Sequence, residues 1–466
     1  MTNIFISVFH FFQNAIIFYM AAINLIYFCL TVTGFFVLRR YRPLTRQQKA
    51  AMMKSPLVPG ISIIAPAHNE AATVRESVRG LLSLRYPSME VIVVNDGSTD
   101  DTLQILIDDF RLYKSSRMPT GGLTSQSVRG VYESRDPVPL VVIDKENGRK
   151  ADAINAGINY ARMPLIMDLD CDSLLDPDAL LEVSRPFLED PERVIASGGI
   201  VRVLNGSEVR HGRVVQARSP SNGRALFQAV EYLRAFLGGR LAWSHLNSLL
   251  VISGAFGCFR RDALIEAGGY QSGSIGEDME LVVRLHKKWL EKPADYRIVF
   301  VPEPVCWTEV PEDWRSLRNQ RNRWQRGTVD VIQRHSRMCL RPSYGAVGML
   351  AMPYLILFEM FGPAVELMGY ALIAVGLLAG LTTAETVTLY LIVSLLFGIL
   401  LSMLAVLLDD FTVRRYASWR DTARLFAGAI LENFGHRQAL TIVRAKGLWD
   451  GLRGIGGWGH MHRKGF

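Results

Sequence analysis

Cysteine is scarce in this sequence, and the spacing patterns of disulfide frameworks and zinc sites are lacking. The 466 residues include five cysteines, and no two of them form a C-x-x-C pair. We therefore expect neither a disulfide-stabilised scaffold nor a zinc site, and we predict that the polar part of the chain is cytosolic.

Long blocks of lysine and arginine are also lacking, although the net charge is +8. Nucleic acid is therefore not an expected partner.

Charged side chains are absent from the start of the chain, since residues 1–38 contain no Lys, Arg, Asp or Glu. Residues 15–38 form a nearly unbroken apolar run, and a helix of that length, at about 1.5 Å per residue, reaches roughly 36 Å, enough to cross a hydrocarbon core of about 30 Å. The charged start of a cleaved signal peptide is missing, so residues 1–40 are predicted to be a permanent membrane anchor. Arg39 and Arg40 follow, and the positive-inside rule then places the N-terminus outside and the next region in the cytosol.

Two further apolar blocks, residues 352–381 and 387–408, are separated by only a few residues. We predict that residues 345–410 form a transmembrane helical hairpin and that the C-terminus is cytosolic. Glu359 and Glu366 interrupt the first block, and carboxylates are costly in lipid. They are therefore expected either to face a polar path between helices or to lie at the membrane interface.

The last region, residues 411–466, is predicted to hold an amphipathic interfacial helix and a C-terminal tail. The helix is expected within residues 420–445, where Glu432, His436 and Arg437 favour placement on the membrane surface over a span. The chain ends soon after this helix, so we expect that regulation by a second messenger would need a partner protein.

The region between the apolar segments, residues 55–340, alternates short β-rich runs with helical periodicity. "GISIIAPAHNE", for example, is followed by "AATVRESVRGLLSL". This order predicts an α/β fold, with a mostly parallel sheet and helices on both faces. Ligands of such sheets lie at the carboxyl ends of strands, where the acidic clusters at 95–100 and 168–172 fall. Residues 111–139 are polar and aperiodic, and they are predicted to form a surface loop.

The stretch "LIMDLDCDSLLDPD", residues 165–178, places Asp168, Asp170 and Asp172 directly after a predicted buried strand. Carboxylates this close repel one another, and a divalent cation would relieve the repulsion. Oxygen ligands alone suit Mg²⁺ or Mn²⁺, and a hard cation with few protein ligands completes its shell with phosphate oxygens and water. A strand end capped by a turn explains a single D-x-D pattern equally well, so the other motifs decide between the two interpretations.

Four stretches occur in a fixed order, "NDGSTD", "DLDCDS", "GEDMEL" and "QRNRW", with "KADAIN" and "SGAFG" between them. Together they resemble the inverting family 2 glycosyltransferases. Within that family they are similar to the membrane-embedded, processive synthases of cellulose, chitin, hyaluronan and poly-N-acetylglucosamine. The resemblance covers roughly residues 60–330 and the arrangement of the flanking apolar segments. It implies a GT-A nucleotide-diphospho-sugar transferase domain between N- and C-terminal transmembrane helices.

On the donor side, the resemblance implies roles for four residues. Asp96 would hold the uracil of a UDP-sugar, and Lys150 would lie near the nucleotide. Asp170 and Asp172 would form the D-x-D pair that binds Mg²⁺ or Mn²⁺ together with the nucleotide-sugar, because the downstream "SLLDPDAL" fixes the register. Asp168 is the competing first member of that pair.

On the acceptor side, Asp278 matches the catalytic base of the family, with Glu277 beside it. Inverting transfer needs one such base, which deprotonates the acceptor hydroxyl. Gln320, Arg323 and Trp324 match the Q-x-x-R-W signature of processive synthases. Arg323 would pair with the diphosphate, while Gln320 and Trp324 would share one helix face and bind the acceptor sugar. An amphipathic surface helix with Trp324 packed inward is the alternative interpretation.

The "SGAFG" loop supplies secondary acceptor-binding candidates by the same resemblance, namely Ser253, Gly254 and Phe256. Glycines in this loop permit a close approach of the backbone. A hydrophobic turn that belongs to the core is the alternative for this stretch.

The predicted reaction is inverting transfer of glucose or N-acetylglucosamine from a UDP-sugar to a growing β-linked polysaccharide, processive and coupled to translocation through the lipid bilayer. The alternative acceptor is a glycolipid that receives a single sugar. A nucleotide-sensing scaffold without catalysis is a third interpretation, which the acidic motif residues argue against. The resemblance implies an integral protein of a bacterial inner membrane, with the transferase domain cytosolic and a further partner for secretion. The sequence does not identify the sugar or the linkage.

Overall fold

The computed structural model describes residues 2–455 except 137, 172, 211, 293, 413, 414 and 417. Within this part of the chain, one ten-stranded sheet has the order β3-β4-β5-β2-β1-β6-β11-β8-β12-β7, and β9 and β10 pair separately. The strands are β1 Ile61–Ala67, β2 Met89–Asp96, β3 Leu112–Lys114, β4 Val128–Ser134, β5 Leu140–Lys145, β6 Leu165–Asp168, β7 Leu174–Leu175, β8 Val194–Val203, β9 Glu208–Arg210, β10 Arg213–Gln216, β11 Gly257–Arg260 and β12 Arg297–Thr308.

The helices surround this sheet and extend from both ends of the chain. They are α1 Thr2–Arg40, α2 Arg46–Lys54, α3 Val74–Leu82, α4 Thr102–Asp109, α5 Arg149–Tyr160, α6 Ala179–Glu189, α7 Gly223–Leu233, α8 Leu241–His245, α9 Arg261–Ala267, α10 Glu277–Leu290, α11 Trp314–His335, α12 Met352–Tyr354, α13 Gly362–Leu378, α14 Ala384–Leu391, α15 Phe397–Thr412, α16 Trp419–Leu431 and α17 His436–Leu452. In the described part of the chain, these helices are connected by four π-helical segments, Arg234–Arg240, Val347–Ala351, Leu355–Met360 and Ile392–Leu396, and by two 3₁₀ segments, Ser336–Met338 and Pro342–Tyr344.

The central strands β5, β2, β1 and β6 are parallel, as the alternating pattern predicts. Their apolar residues are buried on both faces, because helices cover the sheet on each side. The prediction of a mixed α/β fold is therefore confirmed. The register places the carboxyl ends of the four strands at one edge of the sheet, where the functional residues are expected.

The predicted surface loop at residues 111–139 was wrong in part, because β3 and β4 lie within it. β4 pairs antiparallel with β5, and Val131 of β4 is buried. These are short strands at one end of the sheet, and an edge strand buries too few side chains to show a clear alternating pattern. The sheet is consequently less uniformly parallel than the sequence predicts.

Among the described residues, two helices are long and apolar enough to cross a membrane, namely Ile4–Arg40 and Ala384–Phe411. A third candidate consists of Val347–Met360 and Gly362–Leu378, which meet at an angle of 42°. The block predicted as one apolar helix is thus bent. Pro363 explains the bend, because proline lacks an N–H and restricts the residue before it.

α1 packs along the later apolar helices. Near its start, Gln13 Nε2 donates a hydrogen bond to Thr382 Oγ1 at 2.6 Å. Near its end, Phe35 and Phe411 of α15 line one cavity. The C-terminal ends of α1 and α15 therefore lie on the same side, which is the arrangement that the predicted topology requires. The domain limits and the orientation in a membrane stay predictions.

The prediction of a single helix at 420–445 is wrong, because α16 and α17 occupy this region and are separated by Glu432–Gly435. Their placement at a membrane surface stays a prediction. Gly435 has a φ of 91°, a conformation that favours glycine. α16 packs against α7 and α15, and α17 packs against α11 and α13. The sequence could not reveal these neighbours, since amphipathicity shows only that one face needs cover. The tail at 456–466 lies outside the described residues.

Glu359 and Glu366 both meet arginines of α17. Arg444 Nη2 lies 3.1 Å from Glu359 Oε2, and Arg437 Nε lies 3.9 Å from Glu366 Oε1. Tyr27 of α1 also donates to Glu359, at 2.9 Å. These contacts explain how two carboxylates are accommodated between apolar helices, because each has a cation nearby.

Candidate active site

Asp96 ends β2, and the sheet register places Lys145, the last residue of β5, beside it. Lys145 Nζ donates to Asp96 Oδ1 at 2.6 Å, and the N–H of Gly148 donates to the same oxygen at 2.9 Å. Lys145 forms a second ion pair of 2.6 Å with Asp152 on α5. The three charged side chains are buried. Asp96 is thereby held at the carboxyl edge of the sheet, while its predicted uracil contact stays a prediction.

Lys145 was missed by sequence reasoning. A lysine at the end of the apolar strand "LVVIDK" could have indicated this ion pair, because a charged side chain at the end of a buried strand needs a buried partner. Its partners became apparent only from the register between β5 and β2, in which Asp96 and Lys145 lie opposite each other.

Lys150, in the first turn of α5, joins the strand ends to the "SGAFG" loop. Its Nζ donates to Asp170 Oδ1 at 2.6 Å and to the carbonyl oxygen of Gly254 at 2.7 Å. Burial opposes the positive charge of Lys150, but Asp170, Asp168 and Glu277 offset that effect and raise its pKa above the ordinary value. Lys150 therefore carries a positive charge among carboxylates at the predicted donor side.

Asp168 ends β6 and is almost completely buried. Tyr270 donates to its Oδ2 at 3.1 Å, while its Oδ1 has no hydrogen-bond partner among the described residues. Burial raises the pKa of Asp168 to about 7, and Lys150 counteracts part of that rise. Asp168 is thus a member of the same carboxylate cluster as Asp170. Which aspartates bind a cation stays a prediction.

Asp278 lies in the first turn of α10, directly after Glu277. The N–H of Gly254 donates to Asp278 Oδ2 at 3.2 Å, and the N–H of Met279 donates to Oδ1 at 2.8 Å. Burial raises the pKa of Glu277 to about 7, and Asp278 adds to the rise. Both oxygens of Asp278 are thus oriented by backbone donors, and the two acidic neighbours have different environments.

Two glycines hold the start of α10 against α11. A Cβ built on Gly276 would lie 3.2 Å from the Cα of Gly327, and a Cβ on Gly327 would lie 3.2 Å from the Cα of Gly276. Side chains at these positions would separate the helices. The glycine pair therefore fixes the distance between Asp278 and the helix of the Q-x-x-R-W signature.

That signature lies on α11, which begins after Asp313, whose side chain accepts a hydrogen bond from the N–H of Ser316 at 2.8 Å. Gln320 is buried, and its Oε1 has no hydrogen-bond partner among the described residues. Trp324 is 42% exposed, with the guanidinium of Arg321 4.3 Å from its ring centroid. Trp324 is therefore not packed inward, and its ring is partly free to contact a ligand.

Arg323 and Arg240 add positive charge near the acidic helix start. Arg323 lowers the pKa of Glu277, against the larger effects of burial and Asp278. Burial lowers the pKa of Arg240 to about 10, and Asp278 opposes this shift. Arg240 lies over the ring of Phe236 at 4.0 Å and is a second charged residue that sequence reasoning missed.

The "SGAFG" loop contributes through its backbone. Gly254 contacts both Lys150 and Asp278, as its N–H and carbonyl hydrogen bonds show. Ser253 accepts a hydrogen bond from the N–H of Ala255 at 3.4 Å. Phe256 is fully buried in the core, so its predicted contact with an acceptor is wrong for the side chain. The alternative interpretation, a hydrophobic turn of the core, describes Phe256 correctly.

The structure thus joins Lys150, Asp170, Gly254 and Asp278 in one hydrogen-bonded group. Asp96 belongs to a separate group around Lys145. Asp172 lies outside the described residues, so its predicted part in the D-x-D pair stays a prediction.

The described residues contain no group of three or more His, Cys, Asp or Glu side chains that could hold a metal ion. The donor chemistry nevertheless fits the predicted Mg²⁺ or Mn²⁺. Asp170 provides carboxylate oxygens, and Asp168 has a buried oxygen without a hydrogen-bond partner in the described part of the chain. A hard cation needs few protein ligands when a diphosphate supplies the others.

Two protein-family models match the chain. The model described as glycosyl transferase family group 2 matches residues 165–408, which is more than half of the chain, and the model described as glycosyl transferase family 2 matches residues 62–266. Among solved structures, a mannosyltransferase from Pyrobaculum calidifontis in complex with GDP-Man and Mn²⁺ is 19% identical. The comparison covers 89% of this chain and 99% of that chain, with a TM-score of 0.48.

Curated relatives include two synthases of staphylococci. The poly-β-1,6-N-acetyl-D-glucosamine synthase of Staphylococcus epidermidis is 28% identical over 323 residues, which cover 69% of this chain and 66% of the relative. The synthase of the same name from Staphylococcus aureus strain COL is 26% identical over 296 residues, which cover 62% of this chain and 61% of the relative. The chain thus spans less than two thirds of the length of these relatives.

Proposed function

Because the chain belongs to the family 2 glycosyltransferases, we propose that it transfers N-acetylglucosamine from a UDP-sugar to a growing β-linked polysaccharide. Its mixed α/β domain has the GT-A-like fold that the sequence predicts. The sequence alone left glucose and N-acetylglucosamine open, and the names of the staphylococcal relatives favour N-acetylglucosamine.

The observation that carries this proposal is the position of Gly254. Its carbonyl accepts from Lys150, which is paired with Asp170, and its N–H donates to Asp278. One glycine thus connects the predicted donor side with the predicted base. Inverting transfer requires this proximity, since the base must reach an acceptor hydroxyl next to the anomeric carbon of the bound donor.

In the proposed reaction, Asp278 acts as the general base. Its carboxylate takes the proton of the acceptor hydroxyl, and the acceptor oxygen forms a bond to the anomeric carbon on the face opposite the diphosphate. The bond between that carbon and the diphosphate oxygen breaks, and UDP leaves with the bonding electrons. The N–H groups of Gly254 and Met279 orient Asp278, so no rearrangement of its side chain is required.

The leaving group is expected to lie near Lys150 and Asp170. The ammonium of Lys150 can stabilise the negative charge that develops on the diphosphate, because it is buried beside the loop that contacts Asp278. Asp170 and Asp172 would hold a divalent cation there, whose chemistry would be to neutralise charge on the diphosphate. Arg323 would pair with the diphosphate from α11.

The polymer is expected to leave along α11 towards the apolar helices. Trp324 presents a partly exposed ring, and aromatic faces stack on sugar rings. Farther along the chain, α17 joins α11 to α13 and to the bent helix pair. This placement supports processive synthesis coupled to translocation across the bilayer, with the transferase domain and the C-terminus in the cytosol of a bacterial inner membrane.

A panel of UDP-sugars tests the proposal. The purified protein, in detergent and in vesicles, is incubated with UDP-N-acetylglucosamine or UDP-glucose, and UDP release and product length are measured. We expect UDP release with UDP-N-acetylglucosamine, lost with a chelator and restored by Mn²⁺ or Mg²⁺, together with long products. A product carrying one added sugar on a lipid would assign the single-transfer activity instead. UDP release with neither donor would overturn the proposal.

A further inference from the structure

A cavity of about 430 Å³ lies where the C-terminal end of α1 meets the end of α15 and an irregular part of β12. Its volume is within the range of about 300–1,000 Å³ that small-molecule sites occupy. Apolar and aromatic side chains form most of the wall, together with one arginine and one glutamate. The lining residues are Phe35, Leu38, Arg39, Tyr41, Pro43, Pro302, Glu303 and Phe411.

Glu303 is the unusual member of this wall. Its Oε2 is buried and has no hydrogen-bond partner among the described residues. The pairing of β12 with β8 shifts between Val301 and Val305, so Glu303 lies in the irregular part of the strand. A buried carboxylate oxygen without a donor costs free energy, and a bound cationic donor would remove that cost.

Two cationic side chains that act on Glu303 without lining the cavity, Arg415 and Lys49, are paired with other carboxylates. Arg415 lies 3.0 Å from Asp176, and Lys49 lies 3.2 Å from Glu182. Burial raises the pKa of Glu303, and the neighbouring Glu182 raises it further against the effect of Arg415. Among the described residues, therefore, no cation is paired with Glu303, although the surroundings favour a positive ligand.

The position of the cavity is the one expected at the boundary between membrane and water. It lies at the ends of two helices that are long and apolar enough to span, where the apolar run of α1 gives way to Arg39. Phe35 is 40% exposed and Phe411 is 80% exposed. An occupant that fits has an apolar chain for the aromatic side chains, an anionic group for Arg39 and a cationic hydrogen-bond donor for Glu303.

We propose that the cavity binds a phospholipid whose headgroup carries a primary ammonium, of the phosphatidylethanolamine class. The ammonium donates hydrogen bonds to Glu303, the phosphate pairs with Arg39, and the upper part of an acyl chain contacts Phe35, Leu38 and Phe411. A choline headgroup has no N–H to donate, and a glycerol headgroup has no positive charge. The charges of the cavity therefore select one class of lipid from the bilayer.

Lipid-dependent thermal stabilisation tests this site. The full-length protein in detergent is titrated with phosphatidylethanolamine, or with phosphatidylcholine that has the same acyl chains, and the melting temperature is followed. Half-maximal stabilisation is expected at an about tenfold lower concentration of phosphatidylethanolamine, since a hydrogen bond to a charged group has about that effect on affinity. Equal stabilisation by both lipids would overturn the proposal without the need for any variant.

Two variants locate the effect in the cavity. Glu303→Gln is expected to abolish the preference for phosphatidylethanolamine. Arg39→Gln is expected to weaken the binding of both lipids. The matched controls are Glu385→Gln, at the start of α14, and Arg40→Gln, an exposed neighbour that does not line the cavity. A preference that persists in Glu303→Gln would contradict the assignment, and so would a loss of lipid binding in Arg40→Gln as large as that in Arg39→Gln. The readout is independent of sugar transfer, so it also distinguishes this site from the proposed activity.

Discussion

Asp278 and Glu277 show how two adjacent acidic side chains differ in environment. Asp278 accepts hydrogen bonds from two backbone N–H groups, whereas Glu277 is more affected by burial and by the charge of its neighbour. Burial disfavours the ionised form of a carboxylate, and it raises the pKa of Glu277. The sequence identifies both residues by resemblance, but only the structure separates their chemistry.

Replacement of Asp278 tests the proposed base. Asp278→Asn should lower sugar transfer by about 10²–10⁴-fold, because a positioned general base contributes about that much. Binding of the UDP-sugar should stay near normal, since the base acts on the acceptor. UDP release and calorimetric titration of the donor measure the two effects. Asp295→Asn, an exposed surface change, is the control, and lost donor affinity in Asp278→Asn would reassign this residue to the nucleotide site.

The raised pKa of Glu277 predicts that the stability of the protein depends on pH. Its pKa is raised to about 7 from an ordinary value of 4.5, so the native state binds this proton more tightly than the unfolded chain does. The resulting stabilisation is present at low pH and is lost as the pH rises from the unfolded value through about 7. Glu277→Gln should therefore flatten the fall of melting temperature over this window. Glu189→Gln, on the exposed end of α6, should leave the slope unchanged, and an unchanged slope in both variants would contradict the assignment.

At the scale of the element, α11 carries the predicted acceptor contact on a helix that is fixed at both flanks by α10 and α17. Trp324→Ala should lower polymer formation by a factor corresponding to about 0.5–2 kcal/mol of lost ring stacking. Hydrolysis of the donor should be affected less, because the residues predicted to hold the donor, Asp96 and Lys150, do not lie on α11. UDP release and polymer yield, measured in parallel, separate the two effects.

Trp419→Ala is the matched control for this change, because Trp419 is 75% exposed at the start of α16, outside the predicted acceptor path. Equal loss of UDP release and polymer in Trp324→Ala would indicate a folding defect or a donor-side role. Full polymer yield would remove Trp324 from the acceptor site.

At the scale of the whole molecule, a buried ion pair joins the catalytic sheet to an apolar helix. Arg202 of β8 contacts Asp409 of α15, with Nη1 and Oδ2 3.2 Å apart, and both side chains are buried. Asp409→Leu should destabilise the protein by about 3–5 kcal/mol, because it leaves a buried guanidinium without its counter-charge. The double variant Arg202→Met/Asp409→Leu should recover much of that loss. Thermal unfolding in detergent measures both.

An exposed pair provides the comparison. Arg193 and Asp295 lie 3.3 Å apart at the surface, and Asp295→Leu should leave the stability nearly unchanged, because solvent screens an exposed pair. A similar loss in Asp295→Leu and Asp409→Leu, or a double variant as unstable as Asp409→Leu, would show that the buried pair does not couple the sheet to the helix.

The sequence predicted the parts of this molecule that local patterns encode. The α/β alternation and the apolar run of α1 were readable because each signal lies within one segment, and the ordered set of motifs identified Asp170 and Asp278 by resemblance. The partners of Lys145 and the position of α17 depend on which segments pack together, and no single segment contains that information. The burial of Phe256 was also hidden, since resemblance identifies a loop but not the direction of each side chain.

The approach of Gly276 and Gly327 has a meaning for the evolution of this scaffold. A side chain at either position would push the two backbones apart by a few tenths of an ångström, because its Cβ would lie 3.2 Å from the other glycine's Cα. The helix with the proposed base and the helix with the predicted acceptor-side tryptophan are therefore expected to change together. A chimera that takes α11 from a relative with a bulkier residue at 327 would shift the base as well. Under the proposed function, substitutions of exposed side chains on α11 would change the acceptor preference without changing the spacing of the two helices.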